Sequence, residues 1–144
     1  MTRHRFQASA GFSLVEVLVA LVILSIGLLG LAGLQTRGVR DNHGAYLRTQ
    51  ATLSAKDLVD RMRANRSAAL AGAYDVDFGV EVAPGATVAT QDLSQWQATL
   101  AQLPGPGQGK VAVDKANRRV KVDISWDDSR GAEARAILKL ETEL

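Results

Sequence analysis

One apolar run decides the fold of this chain: residues 12–34 read FSLVEVLVALVILSIGLLGLAGL. The run is 23 residues long and contains one charged side chain, Glu16. About 20 apolar residues are enough to cross a bilayer as a helix, and a carboxylate within such a span is costly unless it has a partner. Because the run has no other ionisable side chain, the sequence predicts that the partner of Glu16 comes from another chain or from a newly formed N-terminus.

A short basic leader precedes the run, and residues 1–11 read MTRHRFQASAG. By the positive-inside rule, Arg3 and Arg5 keep the leader in the cytoplasm and direct the C-terminal part to the periplasm. In a secretory signal peptide the small residues of the cleavage site follow the apolar stretch, whereas here they precede it, at residues 8–11. Cleavage at this point leaves the helix on the mature chain, which then begins at Phe12 with a free amine that can meet the carboxylate of a neighbouring Glu16.

The sequence GFSLVE at residues 11–16 resembles the processing signature of type IV pilins and pseudopilins. In that family an inner-membrane aspartic peptidase cuts after the glycine and methylates the new N-terminus, and the mature helices stack into a filament core. The resemblance implies cleavage between Gly11 and Phe12, N-methylation of Phe12, and a role for Glu16 as the assembly glutamate. The alternative is an ordinary signal anchor that contains a stray glutamate.

The apolar helix is predicted to continue beyond the membrane. Residues 12–34 form the transmembrane or filament-core part, residues 35–72 an amphipathic continuation that stops at Gly72, and residues 73–144 a periplasmic head that packs on residues 45–72. Proline is absent from residues 12–82. Apolar side chains recur at helical spacing along one face of the continuation: Leu47, Ala51, Ala55, Leu58 and Met62.

The head is predicted to contain a short helix and an antiparallel sheet of about three to four strands. Asp92 is a candidate cap for the helix, whose apolar face carries Leu93, Trp96, Leu100 and Leu103. Strands are expected at residues 110–114, 120–126 and 136–141, with a further short strand at 80–83. A long N-terminal helix packed on a small sheet is an α+β fold, and it is also the architecture that the pilin resemblance implies.

Later segments resemble one pilin subfamily, the PilV-type minor pilins or type IV pilus modification proteins: GLLGLAGLQ at 27–35, DRMRANR at 60–66 and WDD at 126–128. This resemblance implies a low-abundance structural subunit that joins other minor pilins to prime assembly and sits at the pilus tip with an adhesin. The major pilin, the assembly platform and the prepilin peptidase are its further implied partners. It is implied to reside in the bacterial inner membrane and then in the pilus. A minor pseudopilin of a type II secretion system remains the closest alternative.

Enzymatic chemistry is not expected. The chain has no cysteine to serve as a nucleophile or metal ligand, and His43 is isolated once His4 leaves with the leader, so no histidine pair is present for zinc or a catalytic relay. Asp75 with Asp77, and residues 127–129, could offer oxygen ligands to calcium, but neither has the full spacing of a known loop. No metal and no cofactor are therefore predicted.

A DNA-binding pilin is a third, less favoured reading. Cations cluster around one predicted hairpin, where they could contact phosphates: Lys110, Lys115, Arg118, Arg119 and Lys121. However, once Arg3 and Arg5 are removed, 15 basic side chains face 15 acidic ones, and a formally neutral chain lacks the overall charge of a nucleic-acid binder. A solvated hairpin face is favoured over a nucleic-acid interface.

Overall fold

The structure is a computed structural model that describes residues 13–129, 131 and 134–144. The chain divides into two compact units, Met1–Asn42 and His43–Leu144. Helix α1, Leu14–Ala64, supplies residues 14–42 of the first unit and the opening segment of the second. The helix begins at the carbonyl of Ser13, which accepts hydrogen bonds from the backbone N–H groups of Glu16 and Val17 at 3.0 and 3.2 Å.

The end of α1 differs from the predicted continuous helix. Asn65, with φ −111° and ψ 46°, separates α1 from the short helix α2, Arg66–Ala71. At the break, the side-chain amide of Asn65 donates a hydrogen bond to the Tyr74 hydroxyl at 3.1 Å. Gly72 then ends α2 with φ 90°, a left-handed conformation that glycine adopts at little cost. The helical segment thus stops at the predicted glycine but is interrupted seven residues earlier.

The sheet of the second unit contains three antiparallel strands in the order β1-β2-β3: Gln108–Asp114, Arg119–Trp126 and Ala136–Glu143. Together with the long N-terminal helix packed on it, this sheet gives the predicted α+β, pilin-like fold. In place of a regular fourth strand, the described residues contain one isolated bridge, in which Val76 and Val111 exchange backbone hydrogen bonds of 3.0 and 2.8 Å.

The core of the second unit lies between the outer part of α1 and one face of the sheet. The predicted helix stripe is buried: Leu47, Ala51, Ala55, Leu58 and Met62 are each 5% exposed or less. The inward residues of β2 are equally buried: Val120, Val122, Ile124 and Trp126. Helix α3, Val88–Leu100, closes the core with Leu93, Trp96 and Leu100. The helical period of α1 and the alternation of β2 therefore identify the two main faces of the core, as predicted.

Two local predictions between α2 and β1 are wrong. The N-cap of α3 is Thr87, whose hydroxyl accepts a hydrogen bond from the Thr90 N–H at 3.2 Å, so Asp92 lies inside the helix rather than at its start. The segment at 80–83 is not a strand. The side-chain amide of Gln97 accepts from the Val82 N–H at 2.8 Å and donates to the Val80 carbonyl at 2.7 Å. A glutamine side chain thus supplies the hydrogen bonds that a neighbouring strand would provide.

Candidate functional site

Glu16 lies in the first turn of α1 and is exposed. At this position its carboxylate sits at the positive end of the helix dipole, near backbone N–H groups that have no partner within the helix. Gly11 and Phe12, the predicted cleavage pair, lie outside the described residues. The first turn of α1 therefore carries a carboxylate four residues after Phe12, the predicted N-terminal residue of the mature chain.

Two hydroxyl groups on the inner part of α1 bond to the backbone of their own helix. Helix α1 is long and apolar enough to cross a membrane, and its most apolar stretch has no buried residue. The Ser25 hydroxyl donates to the Leu21 carbonyl at 2.7 Å, and the Thr36 hydroxyl donates to the Ala32 carbonyl at 3.0 Å. In contrast, the Glu16 side chain has no hydrogen-bond or ion-pair partner among the residues that the structure describes. Glu16, the one ionisable group of residues 13–34, is thus left without a partner in the described part of the chain.

A polar network that the sequence analysis missed joins α1 to α3 through a buried tyrosine. The Tyr74 hydroxyl donates to Asp92 Oδ2 at 2.7 Å and accepts from Asn65, and the second carboxylate oxygen of Asp92 contacts Arg61 at 3.3 Å. Tyr74 is fully buried. Burial, assisted by the hydrogen bond to Asp92, raises the pKa of Tyr74 to about 12. The network thus positions α3 on the end of α1. The available sequence signal was an aromatic residue two positions after a helix-ending glycine.

Arg135 is a side chain without a sequence signal, and it connects the turn that follows α3 to the end of β2. Its guanidinium donates to the carbonyls of Gly105 and Pro106, each at 2.9 Å, and to the hydroxyl of Ser125 at 2.9 Å. The planar guanidinium has five N–H donors in a rigid fork, which suits this set of acceptors. Arg135 therefore holds the turn that follows α3 against the end of β2.

The basic hairpin makes internal contacts. Lys110 pairs with Asp77 at 3.0 Å, and the Lys115 ammonium donates to the carbonyl of Ala71 at the end of α2 at 3.1 Å. Glu141 on β3 contacts Arg119 at 3.3 Å and Lys121 at 3.8 Å. Arg118 occupies the turn with φ 53°. Four of the five predicted phosphate-binding cations therefore have partners within the protein.

The aspartates considered for calcium are also engaged internally. Asp75 accepts a hydrogen bond from the Val113 N–H at 2.9 Å. The side chain of Lys110 lowers the pKa of Asp77, and the hydroxyl of Ser129 lowers the pKa of Asp127. Within the described part of the chain, no group of three or more His, Cys, Asp or Glu side chains could hold a metal ion.

Comparison with known proteins places one motif at the N-terminus. Residues 7–32 match the family model described as the prokaryotic N-terminal methylation motif. No curated protein and no solved structure matched the chain. The matched segment includes Gly11, Phe12 and Glu16, and the α+β fold described above is pilin-like. The motif, a type IV prepilin-like leader, therefore supports a pilin or pseudopilin type of protein anchored in the membrane by its N-terminal helix.

Proposed function

We propose that this chain is a minor pilin of the PilV type, a structural subunit without enzymatic activity that helps to initiate type IV pilus assembly. The observation that carries the proposal is the isolation of Glu16, which has no side-chain partner among the described residues and lies inside the methylation motif. Cleavage after Gly11 would create an amine at Phe12. In an assembly that amine and the carboxylate of a neighbouring Glu16 can neutralise each other within the apolar layer, where an unpaired charge is costly.

This pairing would couple assembly to the axial position of the helices. A single subunit in the bilayer leaves the Glu16 carboxylate without a protein partner, whereas a neighbouring subunit can supply one. Because the attraction is strong in a medium of low dielectric constant and weakens as the two charges move apart, it favours the axial offset that brings them closest. We propose other minor pilins and the major pilin as neighbours, the prepilin peptidase as the processing enzyme, and the assembly platform and a tip adhesin as further partners.

The proposed location follows from the membrane helix and the leader that precedes it. The subunit first spans the inner membrane once, with its leader in the cytoplasm and residues 43–144 in the periplasm, and it later joins the pilus at the cell surface. A minor pseudopilin of a type II secretion system would use the same anchor and the same glutamate. DNA uptake is less favoured, because four of the five hairpin cations already have internal partners.

Partner identification tests the proposal. The full chain, tagged at its C-terminus, should be expressed in the bacterium that encodes it, cross-linked in the membrane and purified. Recovery of minor pilins and pilus assembly proteins is the expected result. Recovery of pseudopilins and secretion-system components instead would replace the proposed role with the secretion role, and recovery of neither set would contradict both.

A further inference from the structure

Strand β3 is an edge of the sheet with backbone groups directed away from the protein. Val111 on β1 bonds outward to Val76, so its partner Val122 on β2 must direct its own backbone groups toward β3. Leu140, which lies opposite Val122, therefore bonds inward. Because the backbone groups of successive strand residues point to alternate sides of the strand, the N–H and C=O groups of Lys139 and Glu141 point to the open edge. Unpaired groups of this kind are a template for another strand.

The solvent-facing side chains of the sheet form rows of alternating charge that end at this edge. In one row, Lys110 lies opposite Asp123, and Asp123 lies opposite Lys139. In the neighbouring row, Lys121 lies opposite Glu141, with their charged atoms 3.8 Å apart. The first row thus ends at the edge with a cation and the second with an anion. Opposite charges on directly facing residues stabilise a pair of strands, and like charges destabilise it.

We propose that β3 pairs in antiparallel orientation with β3 of a second copy of this chain, in the register centred on Leu140. Two antiparallel strands β3 can pair in a register centred on Lys139 or in a register centred on Leu140. Each of these two registers leaves only one residue of each strand unpaired. The first sets Lys139 against its own copy. The second sets Lys139 against Glu141 twice, and each charge row then continues across the interface as Lys110, Asp123, Lys139, and the second copy's Glu141 and Lys121. Charge alternation therefore selects the second register.

The inner face of β3 fits the same register. Leu138 and Leu140 are only half-buried and pack at the margin of the core. In the proposed pair, Leu140 meets Leu140 of the second copy in a non-hydrogen-bonded position, where the two Cα atoms are about 4.5 Å apart. The contact would cover the exposed part of both side chains. At the strand end, Arg63 already donates to the Glu143 carbonyl at 2.9 Å, so the pairs formed by Lys139 and Glu141 carry the interaction.

The symmetry of the pair determines how the two heads approach. A two-fold axis that relates antiparallel strands of one continuous sheet is perpendicular to that sheet. The axis therefore reverses the direction of residues 43–64 of α1 between the copies. The contact joins two subunits whose heads approach from opposite directions. It is therefore a different contact from the side-by-side packing of subunits in the proposed pilin assembly.

Disulfide trapping tests both the partner and the register. The chain has no cysteine, so introduced thiols have no background. Lys139→Cys and Glu141→Cys variants of the full chain, in detergent, would be mixed under mild oxidation. In the proposed register their Cα atoms are about 5.5 Å apart, within disulfide range. A mixed K139C–E141C dimer is expected, with Lys121→Cys on the central strand as the control that does not cross-link. Dominant K139C–K139C dimers, or no dimers at all, would overturn the proposal.

Charge reversal provides a second test that separates pairing from folding. Self-association of the full chain, measured by sedimentation in detergent, should weaken about tenfold or more in Lys139→Glu and in Glu141→Lys, because each variant sets like charges against each other twice. An equal mixture of the two variants should associate again, since every facing pair is then of opposite charge. Thermal melts confirm that each variant is folded. Undiminished association of the single variants, or no recovery in the mixture, would contradict the proposed interface.

Discussion

Tyr74 controls how the stability of the second unit responds to alkaline pH. Its pKa is raised to about 12 from an ordinary value of 10 because the hydroxyl is buried and bonded to Asp92. The unfolded chain loses this proton near pH 10 and the folded chain near pH 12, so the contribution of Tyr74 is intact below pH 10 and is lost as pH rises to 12. Two pKa units correspond to about 3 kcal/mol.

Urea unfolding of residues 43–144 measures this loss. We expect the unfolding free energy of Tyr74→Phe to fall less steeply than that of the unchanged fragment between pH 10 and pH 12. Because the two fragments differ only at this position, the difference between the two curves isolates Tyr74. Parallel curves would show that the hydroxyl titrates with an ordinary pKa.

Gly109 is a position where packing leaves no room for a side chain. A Cβ atom there would overlap the indole ring of Trp96 and the side chain of Leu100. Overpacking of this kind typically costs about 1–3 kcal/mol. We expect Gly109→Ala to lower the unfolding free energy of the fragment by that amount. In Gly44→Ala, the added Cβ meets its nearest atom, a carboxylate oxygen of Asp128, at 3.9 Å, so the better helix propensity of alanine should leave stability unchanged or raise it. Equal effects of the two substitutions would contradict this packing.

At the scale of elements, the outer part of α1 distinguishes a core face from a solvent face. Leu58 is fully buried against the sheet, whereas Leu53, on the same helix, is 62% exposed. Truncation of a buried leucine typically costs about 2–5 kcal/mol, and a surface substitution usually changes stability by less than about 0.5 kcal/mol. Thermal melts of Leu58→Ala and Leu53→Ala should therefore differ clearly. An unchanged melting temperature for Leu58→Ala would mean that the predicted stripe is not the core face.

The main elements could be predicted because their apolar side chains repeat periodically. Features that depend on contacts between residues far apart in the sequence could not be predicted. The stripe on α1 and the alternation of β2 repeat over several turns or residues, so each position reinforces the others. At the helix break the Asn65 side chain bonds to Tyr74, and the backbone at 80–83 bonds to the side chain of Gln97 on α3. Such side-chain bonds leave no periodic trace in the sequence. The residues singled out in the structure divide in the same way. Glu16 is evident in the sequence as an isolated charge in an apolar run, whereas no sequence pattern identifies Arg135.

At the scale of the whole molecule, the leader determines whether the chain becomes a mature subunit. If a peptidase cuts after Gly11, a bulky residue there should block access to the peptide bond. Intact mass spectrometry should show a mature wild-type chain that begins at N-methylated Phe12, whereas Gly11→Val should retain the full leader. Ala8→Val, three residues upstream, should still be cleaved. Normal cleavage of Gly11→Val would contradict the processing scheme.

Whether the Glu16 carboxylate drives assembly is tested most directly by recruitment of a Glu16→Ala subunit into the proposed minor-pilin complex, measured by co-purification from membranes. The substitution removes the one ionisable group of residues 13–34 and keeps the apolar anchor, so insertion and cleavage should persist while recovery of partner subunits falls. Ser25→Ala is the matched control, because the Ser25 hydroxyl already bonds to its own helix at Leu21. We expect loss of partners with Glu16→Ala and full recovery with Ser25→Ala. Full recovery of partners with Glu16→Ala would contradict the central claim that this carboxylate drives assembly.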